Sequence, residues 1–306
     1  MASRRGLISL VLIAAVGLLC TREAAAQGGE AVSLTTRDGV QLRISYFPGP
    51  ARKGSPQAKG AQLLRIGDVA APSGVRTSSV SGKDAYALSE SIDLFLTEAA
   101  GEPSPNVLIA SGDAKDFAMP AAGWAAKSGD PVLFATKNGL PGPTVRALNR
   151  HERPGIYVLG PPSVISDGVL AKLRKLGDVK RIGGRTPVDN AIALARYSDG
   201  DFGWGVRDPG HGLVFANTDR PADAGAASAL GASGTYGPLL LLDSSEKLPA
   251  SLESYLLDIQ PGYRFDPVRG VYNHAWLMGD ESAISVDLQA RIDQLMEIVR
   301  VKAPSQ

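Results

Sequence analysis

Cysteine is almost missing from this 306-residue chain, with Cys20 the only one. A lone cysteine closes no intrachain disulfide and supplies no thiolate metal site. Histidine is nearly as scarce. His151, His211 and His274 are the three present, and none has a ligand partner at i+2 to i+4, so no zinc site is expected. An excess of either charge is missing as well: 32 basic residues face 31 acidic ones, a net of +1. Nothing global therefore points to nucleic acid.

Catalytic and cofactor signatures are equally sparse. The G-x-S-x-G spacing of a nucleophile elbow does not occur, and "GASGT" (Gly231 to Thr235) is wrongly spaced. "GDFGWG" (Gly200 to Gly205) has its glycines in the reverse spacing to a dinucleotide fingerprint. "SGDAKDF" (Ser111 to Phe117) puts two acids where a phosphate loop needs bare N–H groups. No cofactor is expected.

What is present begins with a leader. Arg4 and Arg5 precede an apolar run from Leu7 to Leu19, and Ala24 to Ala26 offer a small-residue cleavage site. Thirteen residues fall short of the roughly 20 needed to span a bilayer. Residues 1–26 read as an export signal, with no membrane span left after its removal and a destination in the cell envelope or outside the cell. "SRRGLI" (Ser3 to Ile8) is similar to a twin-arginine signal, though Arg pairs occur in ordinary leaders too. Cys20 follows Leu19 where a lipoprotein cysteine follows a small residue, so lipidation is not favoured. Loss of the leader removes Arg4, Arg5, Arg22 and Glu23 and takes the net charge to −1.

Residues 27–60 hold a hairpin and a linker. Val32, Leu34, Val40, Leu42 and Ile44 alternate about Asp38-Gly39, a dipeptide suited to a tight primed turn. The Pro/Gly-rich stretch from Pro48 to Gly60 then reads as a polar linker.

The rest of the chain repeats. "VSGKDAYALSESIDLFL" (from Val80) and "RIGGRTPVDNAIALARY" (from Arg181) share a strand end, a Gly turn and a helix, with Gly82 and Gly184 offset by 102 residues. Similar series follow both: a strand ending at an acidic turn, a small-residue helix, a second strand, an "LP" helix start and a third strand. Short apolar runs alternating with helices predict parallel βαβ units. The expected fold is α/β: Rossmann-like three-layer units with parallel sheets in two tandem repeats, 61–200 and 201–306, plus the N-terminal β-hairpin. The early strand-helix element at 75–98 is expected to complete the late repeat.

The ordered series "VLIASGD", "AAKSGDPVLFAT", "LP", "YVLGPPSVIS" and "VKRIGG" resembles the cell-wall-binding type 2 repeat of bacterial surface proteins, over roughly residues 75–300. The resemblance implies Rossmann-like units without a catalytic centre, often associated in threes, that tether a protein to anionic wall polymers. The two copies diverge from that pattern. Of the family's Asp-Arg-Tyr signature, Asp84 and Tyr86 remain in the first copy and neither acid nor tyrosine in the second. Its acidic pair stands as Asp219 and Asp223, and in shortened form as Asp113 and Asp116.

Candidate ligand-binding residues follow from charge and topology. Lys172, Arg174, Lys175, Lys180, Arg181 and Arg185 crowd one stretch against Asp178 alone, a locally basic face suited to an anionic polymer. A solvated helix face followed by a strand edge accounts for them equally well. Asp113, Asp116, Asp219 and Asp223 stand at strand ends, where open α/β sheets bind ligands. Turn formation and helix capping explain Asp219 and Asp223 more simply than a calcium site shared with Asp208. The preferred reading is a non-enzymatic exported protein that contacts envelope polysaccharide or an anionic wall polymer. Two alternatives stay open: a hydrolase-like enzyme using the four acids, and an interaction module whose repeat faces form a homo-oligomer.

Overall fold

The computed structural model describes residues 63–71, 76–232, 237–267 and 270–301, together with the backbone of 30–35 and 41–46. The export leader with Cys20, the turn at Asp38-Gly39 and the Pro/Gly-rich linker lie outside the described residues. Strands β1 (Glu30–Thr35) and β2 (Gln41–Tyr46) pair antiparallel, Glu30 opposite Tyr46 and Thr35 opposite Gln41.

The first unit starts with β3 (Leu63–Ile66), β4 (Thr77–Val80) and α1 (Ala85–Ala100), then runs through β5 (Asn106–Ser111), α2 (Lys115–Ala118), α3 (Ala121–Ser128) and β6 (Val132–Ala135). It ends with α4 (Gly142–Arg150), β7 (Gly155–Leu159), α5 (Asp167–Leu173) and β8 (Asp178–Ile182). The second unit is α6 (Pro187–Arg196), β9 (Gly212–Asn217), α7 (Pro221–Ala232), β10 (Leu239–Leu242), α8 (Ala250–Asp258), β11 (Gly262–Tyr263), β12 (His274–Met278), α9 (Val286–Met296) and β13 (Val299–Arg300). Two parallel sheets result, ordered β6-β5-β7-β8 and β10-β9-β12, with the short parallel pairs β3-β4 and β11-β13 beside them. This is the α/β repeat architecture that the sequence predicts.

Cover on both faces explains why the inner strands β5 and β9, and the edge strand β10, are almost entirely apolar and buried. Capping side chains set the helix starts: Asp84 accepts the Ala87 N–H at 2.8 Å, and Thr186 accepts that of Asp189 at 3.1 Å. Pro141 and Pro249 stand immediately before α4 and α8, where a missing N–H costs nothing. Among the described residues no helix is long and apolar enough to cross a membrane.

The units join through α3 and α7. Their backbones nearly touch, because a Cβ placed on Gly231 would lie 2.6 Å from the Gly123 carbonyl oxygen. Helix α6, which follows β8 directly, packs on β10 and α8, so one strand-helix element serves both units. Helix α1 occupies the same place in the first unit, packed on α4 and β6. The early element therefore does not complete the late repeat, as its position in the sequence suggested.

A charged cluster explains that docking. Glu90 of α1 takes Arg146 at 2.9 Å and Arg150 at 3.2 Å, while Asp93 takes Arg150 at 3.1 Å and His151 at 2.7 Å. The other nitrogen of His151, Nδ1, lies 2.7 Å from the Ser104 carbonyl oxygen. Carbonyl and carboxylate oxygens accept only, so both ring nitrogens donate and His151 is an imidazolium. Burial, the largest influence, opposes that charge and the neighbouring Arg150 opposes it slightly. The bonds to Asp93 and Ser104 outweigh both and place its pKa above the ordinary histidine value.

A pH dependence follows. The folded chain holds this proton more tightly than the unfolded one, so the contribution is complete below about 6.5 and is lost as pH rises through the raised folded value. Urea midpoints are expected to fall on the alkaline side for the natural chain and to lose that fall in His151→Gln. Parallel pH curves for the two proteins would contradict the imidazolium.

Candidate functional site

The carboxyl ends of β5 and β6 open onto the helix that joins the units. A cavity of about 320 Å³ lies there, lined among others by Ser111, Gly112, Lys115, Met119 and Phe134 of the first unit and by Pro221 of the second. The ends of β5 and of β9, its counterpart in the second unit, are each shaped by a polar side chain at the last strand position. Ser111 accepts the N–H groups of Asp113 and Ala114, and Asn217 accepts that of Asp219 while donating to the Ala283 carbonyl at 2.9 Å. These turns hold the acids in place.

The four acids do not converge as one set. Asp113 accepts the Lys137 N–H at 3.1 Å and faces the Tyr86 hydroxyl at 3.5 Å, and burial with the Asp113 charge raises the Tyr86 pKa. Asp116 bonds the N–H of Phe117 next to it. Asp219 is exposed. Asp223 pairs with Arg220 at 2.9 Å, and Arg220 reaches Asp280 at 2.9 Å as well. The Ser282 hydroxyl and then Arg220 hold the Asp280 carboxyl below its usual range. Asn217, which sequence reasoning passed over, closes the turn that had been assigned to Asp219 and Asp223. Among the described residues no three histidine, cysteine, aspartate or glutamate side chains form a metal-sized group.

The basic stretch is divided by β8. Lys172, Arg174 and Lys175 lie around the end of α5, exposed and without an ion pair to any described residue. Arg185 lies beyond the other end of β8, about 15 Å along the strand, and is likewise exposed and unpaired. Lys180 binds Asp199 at 2.7 Å. Arg181 turns inward: it donates to the carbonyls of Gly160 at 2.6 Å and Ile165 at 2.8 Å and pairs with Asp167 at 3.0 Å. It staples the loop between β7 and α5, so of this stretch three cations at the foot of the sheet and one at its top pair with no described acid.

An aromatic cluster covers β7, built by the loop after α6. Tyr157 stacks on Phe202 with centroids 3.7 Å apart, and Trp124 meets Trp204 edge-on at 5.5 Å. Lys127 stands 4.5 Å over the Trp204 ring. Tyr157 and Tyr197 both donate to Asp199 at 2.9 Å. Burial raises the Asp199 pKa, yet the bonds from Lys180 and the two tyrosines overcome it and hold the carboxyl well below its usual range. The signal was present as Phe202 and Trp204 among glycines.

Comparison with known proteins follows the same two units. The sequence pattern described as Cell wall binding domain 2 (CWB2) matches residues 79–170 and 181–289. No curated protein matches the chain significantly. Among solved structures the fold is similar to Cwp8 from Clostridium difficile, with a TM-score of 0.54 and 18% identity over 74% of this chain and 35% of that one. It is also similar to Cwp6 from Clostridium difficile, with a TM-score of 0.55 and 14% identity over 88% of this chain and 41% of the other. At such identities the likeness concerns the fold alone, and the chain spans less than half the length of either protein.

Proposed function

The chain belongs to the cell wall binding domain 2 family, and we propose that it is an exported, non-enzymatic protein that tethers to an anionic polymer or polysaccharide of the cell envelope. The observation that carries this reading, beside the family itself, is a set of exposed cations, three of them clustered, that pair with no described acid on a chain whose total charge is close to zero. Lys172, Arg174 and Lys175 form the electrostatic foot, where a flexible polyanion binds without a shaped pocket. Arg185 adds a cation at the strand ends, where exposed Asp113 and Asp219 accept from polymer hydroxyls. Asp116, Asp223 and Arg181 hold the surrounding loops.

Co-sedimentation with purified cell walls tests the reading, using intact walls and walls stripped of anionic polymer across a salt series. Pelleting is expected with intact walls, to weaken with salt and to vanish on stripping. The triple variant Lys172→Glu, Arg174→Glu, Lys175→Glu is expected to bind about 100-fold more weakly, at ~1 kcal/mol for each cation near an anionic surface. Equal pelleting of stripped walls, or an unaffected triple variant, would refute the electrostatic tether.

A further inference from the structure

Set against the β5-β7-β8 order of the first sheet, β12 and β3 each lack one neighbour among the described residues, on opposite sides. Strand β7 carries β5 on one side and β8 on the other. Its counterpart β12 has the same ending, "HAWLMG" against "GIYVLG", with Gly279 and Gly160 both at positive φ. Yet β12 pairs only with β9, because β13, the counterpart of β8, pairs with β11 instead. Among the described residues the β8 side of β12 is unfilled.

The pair β3-β4 has the complementary gap. Gly67 after β3 donates to the Val80 carbonyl at 2.8 Å, and Gly160 after β7 donates to the Ile182 carbonyl at 2.8 Å. Strand β4 leads into α1 as β8 leads into α6. The pair is thus a second β7-β8, with the β5 side of β3 unfilled among the described residues.

We propose that the chain assembles head to tail, β3 of one copy pairing parallel with β12 of the next, so that one sheet runs β10-β9-β12-β3-β4 across two copies. Backbone polarity fits. His274 donates to His211 across β9 and Leu63 donates to Arg76 across β4, so by alternation the N–H groups of Ala275 and Leu64 point to the open edges. Neither strand has a proline, and β12 has no charged residue, the usual guards of a free edge. Its surroundings are apolar too. Trp276, at the place of Tyr157, is 37% exposed where Tyr157 is 4%, and Val271 and Tyr272, just before β12 in the chain, are exposed too. A second copy is the occupant because this chain itself carries the missing edge.

Sedimentation velocity of the full chain over a concentration series tests it. The natural chain is expected to grow beyond a dimer with concentration, since a head-to-tail contact does not limit itself unless a ring closes. Ala275→Pro and Leu64→Pro each remove one outward N–H and are expected to be monomers, but their equimolar mixture is expected to form a heterodimer and stop there. Trp276→Lys, which leaves the backbone intact, is expected to weaken association at least tenfold, with circular dichroism unchanged in every variant. A natural chain that stays monomeric, as it would if its own N-terminal hairpin covered β12, overturns the proposal. So does a single proline variant that still self-associates, or a mixture that does not.

Discussion

Asp93→Ala is expected to destabilise the chain by about 3–5 kcal/mol, the usual consequence of removing one partner from a buried ion pair. Asp93 is 1% exposed and the His151 side chain fully enclosed, so the imidazolium would lose its counterion at a site closed to bulk solvent. Arg150 would keep only Glu90. Urea unfolding measures the loss, and the alkaline fall in stability attributed to His151 should shrink in the same variant, because the carboxylate that raises its pKa is gone. A loss under about 1 kcal/mol would mean that the cluster does not hold α1 against the first unit. The interaction is worth this much only relative to a broken pair. A well-packed apolar replacement of all its members would be far less damaging.

Gly184→Ala is expected to cost about 3 kcal/mol, the upper end of overpacking penalties. A Cβ there would lie 2.3 Å from both the carbonyl carbon and the Cβ of Asp189, and 2.6 Å from the Asn190 nitrogen. Two of these are backbone atoms of the first turn of α6, so no rotamer change relieves the clash. Gly82 stands identically before α1, where a Cβ would lie 2.2 Å from the Leu88 nitrogen, and Gly82→Ala should behave alike. Gly225→Ala is the control: nothing lies within 4 Å of a Cβ at that exposed site in α7, and stability should hold or rise by up to about 1 kcal/mol. Thermal unfolding of the three variants decides it, and a Gly184→Ala midpoint matching that of Gly225→Ala would show that the turn tolerates a side chain.

Local signals made much of the fold legible. Apolar runs of four to six residues between helical stretches marked the parallel strands, and the spacing of Gly82 and Gly184 revealed the repeat, because a strand buried on both faces and a turn without room for a Cβ each restrict residue type. The same logic placed candidate residues at strand ends. It did not show which were free. Arg181 and Arg185 look equivalent in sequence, but only the fold brings the Gly160 and Ile165 carbonyls to Arg181.

Helix α1 was assigned to the wrong partner for a related reason. Its own sequence carries Glu90 and Asp93, while Arg146, Arg150 and His151 lie more than fifty residues later, so the docking depends on charges that pattern cannot pair. The sequence alone determined the strands, the helices and their repetition, because backbone sterics, capping and burial act within a few residues. The tertiary structure decided which unit each shared helix joins, which cations stay in solvent and which strand edges lie open, because those depend on contacts between segments far apart in the chain.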